Sequence, residues 1–290
     1  MLNRDQFIRR FSSGIHLLDG ATGTELRKAG LPADCCAEQW ILSHPQALIS
    51  LQEAYAEAGS EIIYAPTFLA QPPALRRWGL EKETERINRE LVMLSRKAAP
   101  GCVIAGNLTT TQGLAGDRED TEDAYRRQVG ALVRAGADIL AAETLMSIRE
   151  AETILAAARE LSAPAVTVSF ACREDGRLYS GERVTEAVQA AERAGAAAAG
   201  VNCVPVSDTL PDMIGELRGC TSLPLICKPN AGHPVKGRYP VDPEHFASIL
   251  AECAGKGANL AGGCCGTTPD YIRLAAGMLE RDHHKPAGTE

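Results

Sequence analysis

Two adjacent cysteines framed by glycines, Gly262-Gly263-Cys264-Cys265-Gly266, and a third in Gly200-Val201-Asn202-Cys203 are the residues of this chain best suited to chemistry. Three thiolates form a soft, electron-rich set that suits Zn²⁺ at Zn–S distances of about 2.3 Å, and three protein ligands leave a fourth position for a substrate. Consecutive side chains of a regular strand point in opposite directions, so Cys264 and Cys265 share one ion only where the chain turns. The flanking glycines permit that turn. The same residues also read as small packed hydrophobes, because free cysteine is among the most buried residue types, and spacing alone leaves both readings open. The ten cysteines include no compact CxxC pair of the zinc-ribbon kind. Cys35-Cys36 is a useful control: it lies in a polar loop after Pro32, far from any strand, and reads as incidental. Cys102, Cys172, Cys220, Cys227 and Cys253 belong to no constellation and read as core or surface residues.

Residues so distant in sequence meet only if the fold delivers them to one place. Short apolar runs recur at Ile15–Leu18, Glu61–Ala65, Cys102–Ala105, Ile139–Ala142, Ala165–Phe170, Ala196–Val201, Leu223–Cys227 and Asn259–Ala261. Lacking polar alternation, each is predicted to be a strand of a parallel sheet covered on both faces. Segments with helical spacing lie between most of them, at 43–59, 81–99, 121–135, 147–161, 182–194, 243–255 and 269–281. In the first, Ser43 is the expected N-cap, Pro45 sits in the first turn, Gln46 completes a capping box and Gly59 ends the helix. Ala-Gly steps at Ala58-Gly59, Ala135-Gly136 and Ala194-Gly195 suit left-handed C-caps. Eight strands alternating with helices, no GxGxxG opening the first helix and no composition break predict a single-domain (β/α)₈ TIM barrel over 1–281 rather than an open doubly wound sheet. Residues 282–290 read as a polar tail, with His283 and His284 solvated.

A barrel of this kind builds its site at the C-terminal ends of its strands. Those ends are unusually polar here: Asp19-Gly20, Thr67, Asn107, Glu143-Thr144, Asn202-Cys203, Lys228-Pro229-Asn230 and the glycine-framed Cys264-Cys265. Glu143 reads either as a helix cap or as the ligand of a substrate ammonium. The second is favoured, because a carboxylate at a strand end is costly to desolvate without a cationic partner. Asp19 follows the same logic, with local turn chemistry as the alternative. Lys228 offers a different chemistry, a Schiff-base nucleophile with a pKa lowered by burial. The turn Asn230-Ala231-Gly232-His233-Pro234 could present backbone N–H groups to a carboxylate, with His233 a loop histidine rather than a ligand.

The formal net charge of −7 and isoelectric point near 5.5 provide no electrostatic footprint for nucleic acid or an anionic membrane surface. Arg4, Asp5, Arg9 and Arg10 interrupt the apolar residues of Met1–Phe11, so the N-terminus is not read as a signal peptide. A cytoplasmic protein with reduced thiols is expected.

These residues lie in ordered motifs. Leu17-Leu18-Asp19-Gly20-Ala21-Thr22-Gly23-Thr24-Glu25-Leu26, Gly200-Val201-Asn202-Cys203, Pro229-Asn230-Ala231-Gly232 and Gly262-Gly263-Cys264-Cys265-Gly266-Thr267-Thr268-Pro269 together resemble the homocysteine S-methyltransferase family. The set covers nearly the whole chain, and the last element is highly specific. Ala58–Ile63, Leu75–Leu80 and Gly237–Phe246 are most similar to the homocysteine-binding barrel of cobalamin-dependent methionine synthase. The resemblance implies that Cys203, Cys264 and Cys265 bind Zn²⁺ and that homocysteine adds through its sulfur, yielding methionine. It further implies that Asp19 and Glu143 hold the amino acid's ammonium group, with Gly20 and Thr67 lining the same pocket and Asn202 beside them. Two segments depart from the family pattern. Ala65-Pro66-Thr67-Phe68 stands where members commonly read Thr-Asn-Thr-Phe, and Gly106-Asn107-Leu108-Thr109-Thr110 stands where they commonly show Gly-Pro.

The leading expectation is a module that accepts methyl from a methylcorrinoid carried on a separate protein. A sulfonium such as S-methylmethionine is the second donor considered. A barrel that merely binds a thiol or zinc is the non-catalytic alternative.

Overall fold

The computed structural model describes residues 1–283; the expected tail beyond them, with His284, lies outside the described residues. Eight strands form one sheet: β1 (His16–Leu17), β2 (Ile62–Tyr64), β3 (Val103–Leu108), β4 (Ile139–Leu145), β5 (Val166–Phe170), β6 (Ala198–Pro205), β7 (Leu225–Asn230) and β8 (Leu260–Ala261). All seven pairings along the order β1-β8-β7-β6-β5-β4-β3-β2 are parallel. The ring closes between β1 and β2 through the single bridge Leu18↔Ile62 and the bond from Glu61 N–H to Leu17 O at 2.8 Å. This is the (β/α)₈ barrel that the sequence predicts.

Each predicted strand forms, because buried parallel strands need continuous apolar runs. Each predicted helix forms as well, and Gly59 and Gly195 take left-handed φ values of 107° and 102° at the ends of theirs. Ser43 is a correction. It ends a helix of its own, Ala37–Ser43, donating its hydroxyl to Gln39 O, while His44 precedes the helix Pro45–Glu57. Gln46 forms no capping box and instead donates to Ser50 Oγ at 3.1 Å.

Five helices lie outside the predicted set: Arg4–Phe11, Gly23–Lys28, Ala37–Ser43, Pro72–Arg76 and Leu210–Arg218. All are shorter than ten residues, which leaves too few turns for periodicity to stand out. Arg4–Phe11 starts at an Asn3–Gln6 capping box and buries Phe7 and Phe11 against Leu18, Ile62, Val103, Ile139 and Leu260, plugging the N-terminal end of the barrel. Gly23–Lys28, Ala37–Ser43 and Pro72–Arg76 lie at the opposite end, where Leu26, Ile41 and Leu75 pack into one cluster over the loops after β1 and β2. No helix among the described residues is long and apolar enough to cross a membrane.

Two strands are irregular where the chemistry sits. The register of β4 shifts between Ala142 and Leu145, and that of β6 shifts between Asn202 and Pro205. Within those breaks Thr144 and Cys203 adopt left-handed φ values of 59° and 56°. Such bulges re-aim side chains, and the strain they carry is found chiefly at functional sites.

Candidate metal and thiol site

Cys203 lies in the β6 bulge, while Cys264 and Cys265 lie in the turn that follows β8. That turn is held by Cys264 N–H donating to Pro229 O at 2.7 Å and Thr267 Oγ1 donating to Cys264 O at 2.8 Å. Gly266 completes it at φ 84°, and a Cβ there would lie 2.1 Å from the Tyr239 ring, so only glycine fits. The sequence problem of two consecutive cysteines facing one ion is solved by this turn: the three Sγ atoms lie within 4.8 Å of one another. Sulfurs bound to one ion at about 2.3 Å would be separated by less than that, so the donor set fits zinc after a small contraction. Asn230 braces the cluster from β7, its Nδ2 donating to Cys203 Sγ at 3.7 Å and its Oδ1 accepting from Cys265 N–H at 2.9 Å. Hydrogen bonding to Cys264 and Cys265, reinforced by burial, pushes the Cys203 thiol far up. The same contacts, from Cys203 first and Cys264 second, hold Cys265 down at about 3, so the trio titrates as one unit.

Beside the thiols lies a buried charge cluster. Lys228 Nζ is 3.2 Å from Asp19 Oδ1 and donates to Glu143 Oε2 at 3.4 Å, and it sits 3.9 Å from the centre of the Tyr64 ring. Asp19 Oδ2 accepts from Tyr64 N–H at 2.8 Å, and Glu143 Oε1 accepts from Asn107 Nδ2 at 2.7 Å. Burial pushes the Asp19 carboxyl up to about 6 against the pull of Lys228, and burial also raises Glu143. Burial alone would lower Lys228, but Glu143 and Asp19 outweigh it and hold the ammonium well above its ordinary range. A Schiff-base nucleophile needs a free amine, and this lysine is a fixed cation. Glu143 caps no helix.

Asp19, Gly20, Glu143, Lys228 and the three cysteines line one cavity of about 360 Å³ at the C-terminal end of the barrel. Leu26, Leu31, Ile41, Phe68 and Leu69 form its apolar side. Gly20 has no room for a side chain, since a Cβ would stand 2.6 Å from the Tyr55 hydroxyl. Thr67 and Asn202 stand behind the wall. Thr67 Oγ1 donates to Asn107 O and accepts from Asn107 N–H, both at 2.8 Å, tying β2 to β3. Asn202 accepts from Thr144 N–H at 2.7 Å and Ser169 Oγ at 2.8 Å, and donates to Thr144 Oγ1 at 2.8 Å, fixing both bulges. Asn107, from a departing segment, faces the cavity. In the Asn230–Pro234 turn Ala231 N–H donates to Cys265 O and Gly232 N–H to Asn230 O, so these two amides are not presented to a ligand. His233 is exposed and pairs with Glu174 at 3.2 Å. Cys35 and Cys36 lie outside the thiol cluster.

Sequence reasoning missed the parts played by Tyr64, Asn230 and Tyr239. Tyr64 lies within the apolar run Glu61–Ala65 and reads as core; only the polar residues at neighbouring strand ends hint that it faces a charge.

A model of the homocysteine S-methyltransferase family matches residues 16–279. The chain belongs to that family. Among relatives of this homocysteine S-methyltransferase family member, the methionine synthase of Mycobacterium leprae is 27% identical over 291 residues, covering 91% of this chain and 24% of that protein. The chain thus spans about a quarter of that relative's length. Homocysteine S-methyltransferase YbgG of Bacillus subtilis is 28% identical over 301 residues, covering 90% of this chain and 93% of that one. The homocysteine methyltransferase MmuM of Escherichia coli, in its metallated form, superposes with a TM-score of 0.79 at 27% identity, covering 91% of this chain and 96% of the other.

Proposed function

We infer that this family member methylates homocysteine to methionine, with Zn²⁺ held by Cys203, Cys264 and Cys265 and the methyl group accepted from a methylcorrinoid on a separate protein. The observation that carries this reading is three sulfurs within 4.8 Å of one another on the wall of a cavity that also holds buried charges. Zinc bound there supplies a Lewis acid that keeps a thiol ionised at neutral pH. The chain's own residues do the rest. Asp19, Gly20 and Glu143 border the acceptor's space, Asn202 and Thr67 hold the strand ends that carry them, and the apolar side excludes water from the nucleophilic sulfur. The acceptor sulfur forms its bond to the methyl carbon as the donor–carbon bond breaks; the donor keeps that electron pair and the thiol proton leaves to solvent. The reading assigns the protein to the cytoplasm, where thiols stay reduced.

Similarity to the methionine synthase supports the corrinoid donor, as does the apolar mouth, where Leu69 is exposed. The match over 93% of YbgG favours a second reading, in which a small sulfonium donates without a carrier. Zinc-loaded protein supplied with homocysteine and each donor in turn separates them. Turnover with S-methylmethionine alone replaces the corrinoid donor, and tight homocysteine binding without turnover from either leaves a thiol-binding barrel. The zinc reading fails if wild type binds no more zinc than Cys203→Ala and Cys264→Ala.

A further inference from the structure

We propose that Lys228 sets acceptor selectivity, so that the site takes short thiol carboxylates with or without an α-ammonium group. The inference rests on the reading of this cavity as an acceptor-thiol site. The observation behind it is an ammonium group already in place. Lys228 is 4% exposed, and its Nζ stands between Asp19 Oδ1 at 3.2 Å and Glu143 Oε2 at 3.4 Å. The remaining oxygens of both carboxylates are taken by Tyr64 N–H and Asn107 Nδ2. Two buried carboxylates without a cation would demand one from the ligand, because like charges in a dry site cannot both stay ionised. Here the protein supplies that cation itself. An arriving α-ammonium gains less from these carboxylates, and it meets Lys228 across them as a like charge. Asp19 and Glu143 both still line the cavity beside Lys228, so a ligand amine can approach the pair and homocysteine is admitted. The amine is simply not required.

The test is calorimetric binding of L-homocysteine and of its des-amino analogue, 4-mercaptobutyrate, to zinc-loaded wild type and to Lys228→Met. The two thiols should bind wild type within about ten-fold of each other, and Lys228→Met should widen the ratio by at least about ten-fold in favour of homocysteine. Should Lys228→Met not fold, the two wild-type titrations decide alone. Wild type that binds homocysteine more than about 100-fold tighter than the analogue overturns the inference and leaves the acceptor reading standing. Binding of neither thiol overturns both.

Discussion

Asn230 donates its side-chain amide to the sulfur of Cys203 at 3.7 Å, from a strand that gives no thiol to the cluster. Its carbonyl oxygen accepts from Cys265 N–H, so one residue on β7 sets the spacing between the arms from β6 and β8. Groups that orient metal ligands commonly contribute as much as 10–100-fold in metal affinity. Asn230→Ala should weaken zinc binding by about that factor, measured by competition with a chromogenic chelator, while the circular dichroism spectrum stays unchanged. Wild-type affinity in the variant would remove Asn230 from the site.

Metal loading should also appear in thiol reactivity. Cys203, Cys264 and Cys265 are partly accessible, whereas Cys172, Cys227 and Cys253 are buried. With zinc bound, the first three should resist iodoacetamide, and a chelator should render them reactive while the buried three stay unmodified. Peptide mass spectrometry reads each site; equal labelling of Cys264 with and without zinc would contradict the assignment.

Gly266→Ala should destabilise the thiol turn twice over. The left-handed φ of 84° costs a non-glycine residue about 1–2 kcal/mol, and the added methyl strikes the Tyr239 ring. Adding Tyr239→Ala should recover the part due to the ring, leaving the conformational part and the contact with the Cβ of residue 239 at 2.6 Å. Chemical denaturation of both variants separates the two, and no recovery in the double variant would show that the ring gives way freely.

The His16–Glu61 pair, at the start of β1 and beside β2, predicts a pH dependence of stability. His16 Nδ1 lies 3.0 Å from Glu61 Oε1; this hydrogen bond, opposed by burial, raises the histidine above 6.5 and lowers the glutamate below 4.5. A raised histidine stabilises below its unfolded value and loses that contribution as pH rises through its folded value. A lowered glutamate stabilises above its unfolded value and loses that as pH falls through its folded value. The pair is therefore strongest between pH 4.5 and 6.5. Glu61 is 41% exposed, so the gain is screened to below about 1 kcal/mol. His16→Gln should lower the urea midpoint most in that window and least at pH 8; a pH-independent difference would contradict the linkage.

The barrel was legible in the sequence because parallel strands buried on both faces must be apolar throughout, and eight such runs leave little choice. The thiol cluster was legible only in part: the glycines around Cys264 and Cys265 permit the turn, but joining Cys203 to them rested on the resemblance to the family motifs. Lys228 illustrates what was not. Its position at a strand end was plain, but whether burial lowers its pKa or two carboxylates raise it depends on distances that no spacing encodes. Thr67 and Asn202 likewise sit at strand ends, yet Thr67 turns to the backbone of Asn107, and Asn202 spends its amide on Thr144, Ser169 and the sulfur of Cys264 at 4.0 Å. The bulges that place Thr144 and Cys203 leave no mark in composition, since neither residue type favours a left-handed φ.

The closing of the ring gives Asp19 a double duty. Between β1 and β2 the regular ladder is reduced to one bridge, and the next donor along β2, Tyr64 N–H, is taken by the side chain of Asp19 at 2.8 Å rather than by backbone. A carboxylate thus serves as a rung of the barrel wall while its other oxygen faces Lys228. The zip of the barrel and the charge balance of the pocket share one side chain, so a replacement that cannot accept from that amide loosens the seam whenever it alters the charge.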